Sequence, residues 1–267
     1  MINKILLFEN LTVSLNNAAL LAAKLEAELL GLFVEDINLL RLSSLPFAYE
    51  TETHSAITRP LHAESLLRRF RRMASQMEER LSHVAQQLNV PWSFQVSRGI
   101  LWIELVEAAK NCDLIVVSQK GQFSNFLSFF EDPLFRLLEE AQKPILFFST
   151  EKQLSPPFGL LIDPSKDFVS ILNLAVGISK KFSAALTLFL LNKPLDEVQR
   201  HRIETLTKDI GRLSVIQGVG EEPTAIASLI DEEKIGLLFF SLKSLSLEKE
   251  KLKILLRLLD CPVLLSP

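Results

Sequence analysis

Two short apolar runs, Leu114-Ile115-Val116-Val117 and Ile145-Leu146-Phe147-Phe148, decide the fold of this chain. Uninterrupted apolar runs of this length are typical of parallel strands that helices cover on both faces. Between them lie a loop that begins at Ser118 and a helical segment at 133–141. The stretch therefore predicts a strand, a loop, a helix and a second strand, and the loop is the place where we expect a ligand.

The same alternation of strands and helices extends back to the start of the chain. The predicted strands are 5–8, 29–34 and 92–96, and the predicted helices are 14–27, 62–88 and 101–111. Strands that alternate with helices in this way predict an α/β fold, with an open parallel sheet and helices on both faces. The polar segment 35–60 interrupts the order, and we predict a long loop there, of a kind that is either functional or mobile.

The pattern breaks at Pro156 and Pro157, which can continue neither a helix nor a central strand. After the break the order of elements repeats. The matched segments are 160–163 with 6–9, 186–191 with 29–34, 213–217 with 92–96, 236–240 with 113–117, and 261–265 with 143–147. We therefore predict two tandem five-stranded domains, at 1–151 and 157–267, joined by a linker at 152–156.

Composition limits the classes of partner. The formal charge of −3 and the pI near 5.9 give no global reason to expect nucleic acid, whose binding proteins usually carry a basic face. Cys112 and Cys261 lie beside predicted strands, where a free cysteine acts as a small apolar residue, so we expect a reduced, cytoplasmic setting. The sequence has no apolar run of about 18 residues, so we expect no membrane span.

The loop that begins Ser118-Gln119-Lys120-Gly121 and ends at Glu131-Asp132 is similar to a known loop. Its spacing and the repeated order of elements resemble those of tandem universal stress proteins. The resemblance implies a Rossmann-like fold of the adenine nucleotide alpha hydrolase type. In nucleotide-binding members an acidic residue ends the first strand near the adenine, and a Gly-x2-Gly-x9-Gly-Ser/Thr loop holds the phosphates. Glycines let backbone N–H groups approach phosphate oxygens, and the helix N-terminus that follows favours negative charge.

On this pattern the first copy keeps the length of the nucleotide site but changes its chemistry. Glu9 ends the first strand, and Gly121, with Lys120 beside it, keeps the second glycine position. Ser118 replaces the first glycine, and Glu131-Asp132 replaces the final pair. A carboxylate about 4 Å from a phosphate charge costs about 1 kcal/mol in water and about 4 kcal/mol at an effective dielectric constant of 20. We interpret Glu131-Asp132 as caps of the following helix; the alternative is a metal-bridged or otherwise unusual ligand.

The second copy departs further from the pattern. Asp163 matches the adenine-side acid, but Ser241-Leu242-Lys243-Ser244 has no glycine, and the loop is shorter than in the first copy. We interpret Asp163 as a cap of the following helix, a role that Asp commonly takes. The degenerate pocket candidates of this copy are thus Asp163, Ser241 and Ser244. Because neither copy keeps an intact nucleotide loop, we expect no cofactor, with ATP in the first copy as the alternative.

Two further groups of residues are candidates for binding a partner. The first is the set of aromatic loop residues Phe123, Phe126, Phe129 and Phe130. They are predicted either to pack between the two halves or to form a lid or a docking surface. The second is the arginine face Arg68, Arg69, Arg71 and Arg72 of the long helix. It is either a solvated face or a site for an anionic partner, a membrane surface or nucleic acid.

The chain has none of the signatures of a catalytic or metal site. Its four histidines are scattered without metal-ligand spacing, and no Gly-x-Ser-x-Gly nucleophile motif is present. We therefore predict a non-catalytic stress-response protein that binds a protein or a small ligand. Its two repeats would pair through their last strands as an internal pseudo-dimer, with a homodimer as a further possibility. The alternative is an ATP/ADP-binding switch or weak ATPase that uses only the first domain.

Overall fold

The structure is a computed structural model that describes residues 2–8, 12–51, 58–118, 133–148 and 152–267. The strands of its main sheet are β1 Lys4–Leu7, β2 Glu28–Asp36, β5 Trp92–Gly99, β6 Leu114–Ser118, β7 Ile145–Phe148, β8 Phe158–Ile162, β9 Leu186–Leu191, β10 Leu213–Val219, β11 Leu237–Ser241 and β12 Val263–Ser266. A separate hairpin consists of β3 Tyr49–Thr51 and β4 Thr58–Pro60. The helices are α1 Thr12–Leu25, α2 Ile37–Leu42, α3 Ala63–Gln87, α4 Leu101–Lys110, α5 Pro133–Ala141, α6 Val169–Phe182, α7 Glu197–Thr207, α8 Pro223–Glu232 and α9 Lys249–Leu258.

The ten strands form one continuous sheet in the order β10-β9-β8-β11-β12-β7-β6-β1-β2-β5. Neighbouring strands are parallel within each half, as the apolar runs predicted. Each half also has the same strand order, because β5-β2-β1-β6-β7 corresponds to β10-β9-β8-β11-β12. The α/β fold class is therefore confirmed, and the two five-stranded sheets join side by side into one.

The two halves meet between β7 and β12, the only antiparallel pair among the described strands of the main sheet. Leu146 lies opposite Leu264, and the next residue of β7, Phe147, lies opposite Val263. These are the last strands of each half, which the resemblance expected to pair. Because they run in opposite directions, the carboxyl ends of the first-half strands and those of the second-half strands lie at opposite edges of the sheet.

Helices cover both faces of the sheet, so the inner strands are buried on both sides, whereas the edge strands β5 and β10 are partly exposed. Leu6 and Phe8 pack into the core with α4, α5, α8 and α9. Ile5 and Leu7, which point the other way, pack with α1, α3, α6 and α7. Among the described residues, no helix is both long and apolar enough to cross a bilayer.

The segment 152–156, predicted as a linker, is held against α1. The side chain of Asn17, which is buried, donates to the carbonyl oxygen of Lys152 (3.1 Å) and accepts from the backbone N–H of Leu154 (2.9 Å). Farther along, the backbone N–H of Gly236 donates to the carbonyl oxygen of Pro157 (2.8 Å). The segment is therefore anchored to α1 through Asn17 and buries Leu154, while its other four residues are exposed.

The prediction of an irregular loop at 35–60 was wrong for most of that segment. Strand β2 continues through Asp36, whose carboxylate then accepts the backbone N–H of Asn38 (2.8 Å) and caps α2. The hairpin β3–β4 follows. Its polar composition resembles that of a loop because both of its strands are largely exposed, so the usual apolar alternation of a strand is absent.

Candidate functional site

In an open parallel sheet, ligands bind outside the carboxyl ends of the strands, where the strand order reverses. Here that point lies between β1 and β6 in the first half and between β8 and β11 in the second. In the first half, the backbone N–H of Phe8 donates to the carbonyl oxygen of Val116 (3.2 Å), and Ser118 is buried at the end of β6. The candidate pocket residues Glu9, Lys120, Gly121, Glu131 and Asp132 lie outside the described residues, and so do Phe123, Phe126, Phe129 and Phe130.

In the second half the three predicted pocket residues lie together. Asp163 directly follows β8, Ser241 ends β11, and Ser244 ends a short 3₁₀ turn, Leu242–Ser244. The backbone N–H of Asp163 donates to the carbonyl oxygen of Ser244 at 2.8 Å. Asp163, Ser241 and Ser244 are all buried. The chain's own turn therefore packs against the acidic residue, in the position where a ligand would be expected.

The 3₁₀ turn satisfies its polar groups internally. The hydroxyl of Ser244 accepts the backbone N–H of Ser241 (3.1 Å) and donates to the carbonyl oxygen of Ser241 (3.0 Å). The hydroxyl of Ser241 accepts the backbone N–H of Lys243 (3.1 Å) and donates to the carbonyl oxygen of Pro267 (3.1 Å). Hydroxyls and N–H groups that could have contacted phosphate oxygens are thus bonded to the protein itself.

Asp163 does not cap the following helix, so that prediction was wrong. Its carboxylate accepts the backbone N–H and the hydroxyl of Ser165, at 2.8 and 2.7 Å. Helix α6 begins only at Val169, whose N–H is accepted instead by the carboxylate of Asp167 (3.1 Å). Asp163 is too far from the helix start in sequence for a cap, which bonds the N–H two or three residues later.

The carboxylate of Asp163 is stabilised in its charged form. Burial by itself raises its pKa, but hydrogen bonds from the hydroxyl of Ser246 and from Ser165, together with the nearby Lys166, outweigh it. The net result is a pKa below the ordinary value of 3.8. Asp163 is therefore a charged structural group at neutral pH, whose carboxylate is occupied by hydrogen bonds from within the protein.

The carboxyl edge of the first half holds a charged pair that sequence reasoning missed. Glu35 at the end of β2 lies opposite Arg98 of β5. Its Oε2 atom is 2.7 Å from Nε and 2.6 Å from Nη2 of Arg98, and its side chain is 8% exposed against 54% for Arg98. The arginine therefore has donors left for an anion at this edge. The signal in the sequence is Glu35 directly after the apolar run 29–34. Because Glu35 falls in the segment 35–60, which was predicted to be a loop, sequence reasoning did not place it on a strand.

The predicted arginine face is exposed on α3. Glu64 Oε1 lies 3.6 Å from Arg68 Nη1, and Arg69 forms a close ion pair with Glu50 of the hairpin. Arg71 and Arg72 make no ion pair with any other described residue. The acidic residues of the helix thus compensate this face only in part.

No group of three His, Cys, Asp or Glu residues suited to holding a metal occurs within the described ranges. Burial raises the pKa of Cys112 to about 11 and that of Cys261 to about 12, so both thiols stay protonated at neutral pH.

A cavity of about 360 Å³ beside Cys261 is lined in part by Lys152 and Asp260. It lies at the amino ends of β11 and β12, opposite the carboxyl ends of the second-half strands, where a ligand of that half would be expected.

Comparison with known proteins identifies the fold. A universal stress protein from Archaeoglobus fulgidus superimposes with a TM-score of 0.68 at 14% identity, covering 99% of this chain and 98% of that one. A protein from Pseudomonas aeruginosa, provisionally named a universal stress protein, gives 0.59 at 16% identity, with 99% and 93% covered. A functionally unknown protein from the same species gives 0.60 at 15%, with 99% and 92% covered. No family model and no curated protein matches the sequence. The chain therefore has the fold of universal stress proteins over nearly its whole length.

Proposed function

We propose that this chain is a non-catalytic, cytoplasmic stress-response protein of the tandem universal stress protein type, which binds a protein or a small ligand and does not bind ATP in the ordinary way. One observation carries the proposal. Asp163, at the position of the family's adenine-side acid, is buried and bonded to the chain's own 3₁₀ turn.

The contacts around Asp163 support the absence of a nucleotide from the second half. An adenine ring beside Asp163 would have to displace Ser244 and break the 2.8 Å bond between the two residues. The bonds that Ser241 and Ser244 make within the turn would be lost with it. A ligand would therefore have to replace several satisfied protein hydrogen bonds, and each buried group left unpaired costs about 1–3 kcal/mol.

For the first half the proposal depends on the sequence of the loop. Glu131-Asp132 takes the place of the glycine and hydroxyl residues that would hold phosphates. Two carboxylates at that position would weaken ATP binding by about tenfold to several thousandfold. We further propose that the halves correspond to domains 1–151 and 157–267, which serve as an internal pseudo-dimer, and the β7–β12 pairing supports this.

Calorimetric titration of the full chain with MgATP and MgADP tests the proposal. We expect no heat of binding at micromolar nucleotide. Native mass spectrometry of the protein as purified from cells gives an independent result, because a bound mass other than a nucleotide identifies the class of ligand. Micromolar affinity for either nucleotide, or co-purification of a stoichiometric adenine nucleotide, would overturn the proposal.

The alternative function is an ATP/ADP switch, or a weak ATPase, that uses only the first half. Gly121 keeps one glycine position and Lys120 can offset one carboxylate, while the buried turn at Ser244 leaves the first half as the place for a nucleotide. If the full chain binds ATP, Gly121→Val should abolish binding. Gly211→Val is the matched control, because a Cβ at Gly211 meets no atom within 4 Å. Equal binding by both variants would exclude this site.

A further inference from the structure

Exposed apolar side chains are concentrated in one short stretch of the first half. Thirteen large hydrophobic residues are exposed in the described part of the chain, and five of them fall between residues 39 and 49. They are Leu39, Leu42, Leu45, Phe47 and Tyr49. Phe47 is 83% exposed and Tyr49 is 61% exposed. Single exposed apolar residues are normal in proteins, whereas a concentration of them marks an interaction surface.

This stretch is packed onto the basic end of α3. Leu40 contacts the small buried cluster that contains Leu66 and Phe70. The hairpin is fixed by the ion pair of Glu50 with Arg69 and by a 2.8 Å bond from the N–H of Leu61 to the carbonyl oxygen of Ala48. Helix α2, the hairpin and the first part of α3 are therefore one continuous unit. We name its exposed side, formed by the described residues within 37–72, the α2–α3 surface.

The charge of this segment is opposite in sign to that of the whole protein. Residues 37–72 contain six arginines and three glutamates, with no lysine or aspartate, whereas the formal charge of the chain is −3. Four of these arginines, Arg41, Arg59, Arg71 and Arg72, make no ion pair with another described residue. The α2–α3 surface thus combines protruding apolar side chains with a local excess of positive charge.

We propose that the α2–α3 surface binds an anionic phospholipid bilayer. Phe47, Tyr49 and the exposed leucines would enter the headgroup region, while the arginines contact lipid phosphates. An aromatic tip, aliphatic side chains and flanking arginines are the combination that favours the membrane interface, and neither signal alone gives stable binding. The arginine stems can lie along the acyl boundary with the guanidinium groups in the headgroup layer. An anionic bilayer complements the positive charge of the α2–α3 surface. A bilayer is also flat, so its binding requires no matching groove in the protein.

Co-sedimentation of the full chain with vesicles tests the proposal. We expect binding to phosphatidylcholine vesicles that contain phosphatidylserine, little binding to pure phosphatidylcholine, and release at high salt, because the Debye length shortens. The double charge reversal Arg71→Glu with Arg72→Glu should weaken partitioning by at least about tenfold, since each basic residue near an anionic surface is worth about fivefold. Phe47→Ser should weaken it by a smaller factor while leaving the salt dependence unchanged.

Helix α7 provides matched controls for both variants. Arg200→Glu with Arg202→Glu makes the same charge change on another exposed helix, and Val198→Ser removes an apolar side chain that is 77% exposed. Both controls should bind as the wild type does. The proposal is overturned if the wild type ignores anionic vesicles, or if the control pair loses as much binding as the α3 pair. It is also overturned if heparin binds more strongly than vesicles and Phe47→Ser has no effect, because an acidic polymer or protein would then be the partner.

Discussion

The backbone N–H of Asp163 donates a 2.8 Å hydrogen bond to the carbonyl oxygen of Ser244. The two residues follow β8 and β11, which are neighbouring strands of the second half. This bond joins the loops on either side of the point where strand order reverses. The carboxylate of Asp163 also accepts hydrogen bonds from the backbone N–H and the hydroxyl of Ser165, on its own side of that point.

Replacing Asp163 by Asn should change the pH dependence of stability. The pKa of Asp163 in the folded protein lies below its ordinary value, so its stabilising contribution is complete above the unfolded pKa and is lost as the pH falls through the folded pKa. Asp163→Asn should therefore lower the free energy of unfolding by about 1–2 kcal/mol at neutral pH, with a smaller difference in acid. Urea denaturation from neutral to acid pH measures this. In the control, Asp167→Asn, the loss should be smaller, because the hydrogen bond that Asp167 accepts from the N–H of Val169 is exposed. A constant difference between Asp163→Asn and wild type at all pH values would contradict the assignment.

Asn17 should matter for stability, because its buried side chain anchors the segment 152–156 to α1. Asn17→Ala removes both of its hydrogen bonds and leaves the buried N–H of Leu154 without a partner. We expect a loss of about 1–3 kcal/mol in the free energy of unfolding. The neighbouring Asn16 is exposed and serves as the control. If Asn16→Ala and Asn17→Ala denature at the same urea concentration, the segment 152–156 does not depend on this anchor.

Two glycine-to-alanine substitutions should shift stability in opposite directions. A Cβ on Gly236 would lie 1.8 Å from the carbonyl oxygen of Ser155, so the backbone must move, and we expect a loss of about 2–3 kcal/mol. Gly177 lies exposed in α6 with open space around a new Cβ, and Gly177→Ala should stabilise the helix by about 0.5–1 kcal/mol. Thermal unfolding of the two variants checks both signs. A neutral Gly236→Ala would show that the segment before β8 can move away freely.

The Glu35–Arg98 pair should respond asymmetrically to removal of its partners. Arg98→Ala leaves a buried carboxylate without its ion-pair partner, and should cost about 1–3 kcal/mol. Glu35→Gln leaves Arg98, which is more than half exposed, able to contact water, and should cost less. The double variant should be more stable than Arg98→Ala alone. A double-mutant cycle by urea denaturation measures this, and strictly additive losses would mean that the two side chains do not interact.

The sequence predicted those helices and strands that are buried, because burial imposes a regular pattern of apolar residues on them. The runs at 114–117 and 145–148 are strands buried on both faces, and the helix predicted at 62–88 is α3, which buries Leu66, Phe70 and Met77. Local spacing could not predict contacts between distant segments, such as Asn17 with Leu154 or Asp163 with Ser244. The segment 35–60 was misassigned because its helix and hairpin bury little surface, so polar composition concealed their regularity. The roles of Glu9, Lys120, Gly121 and Glu131-Asp132 stay predictions.

The antiparallel contact of β7 with β12 has a consequence for assembly. A strand at the edge of a sheet presents unpaired N–H and carbonyl groups, and separate subunits can satisfy them only by associating at a sufficient concentration. Here a single covalent chain supplies both strands, so each is presented to the other at the high effective concentration of an intramolecular reaction. Formation of this junction should therefore be independent of protein concentration. Dilution, which dissociates a dimer, leaves both inner edges covered.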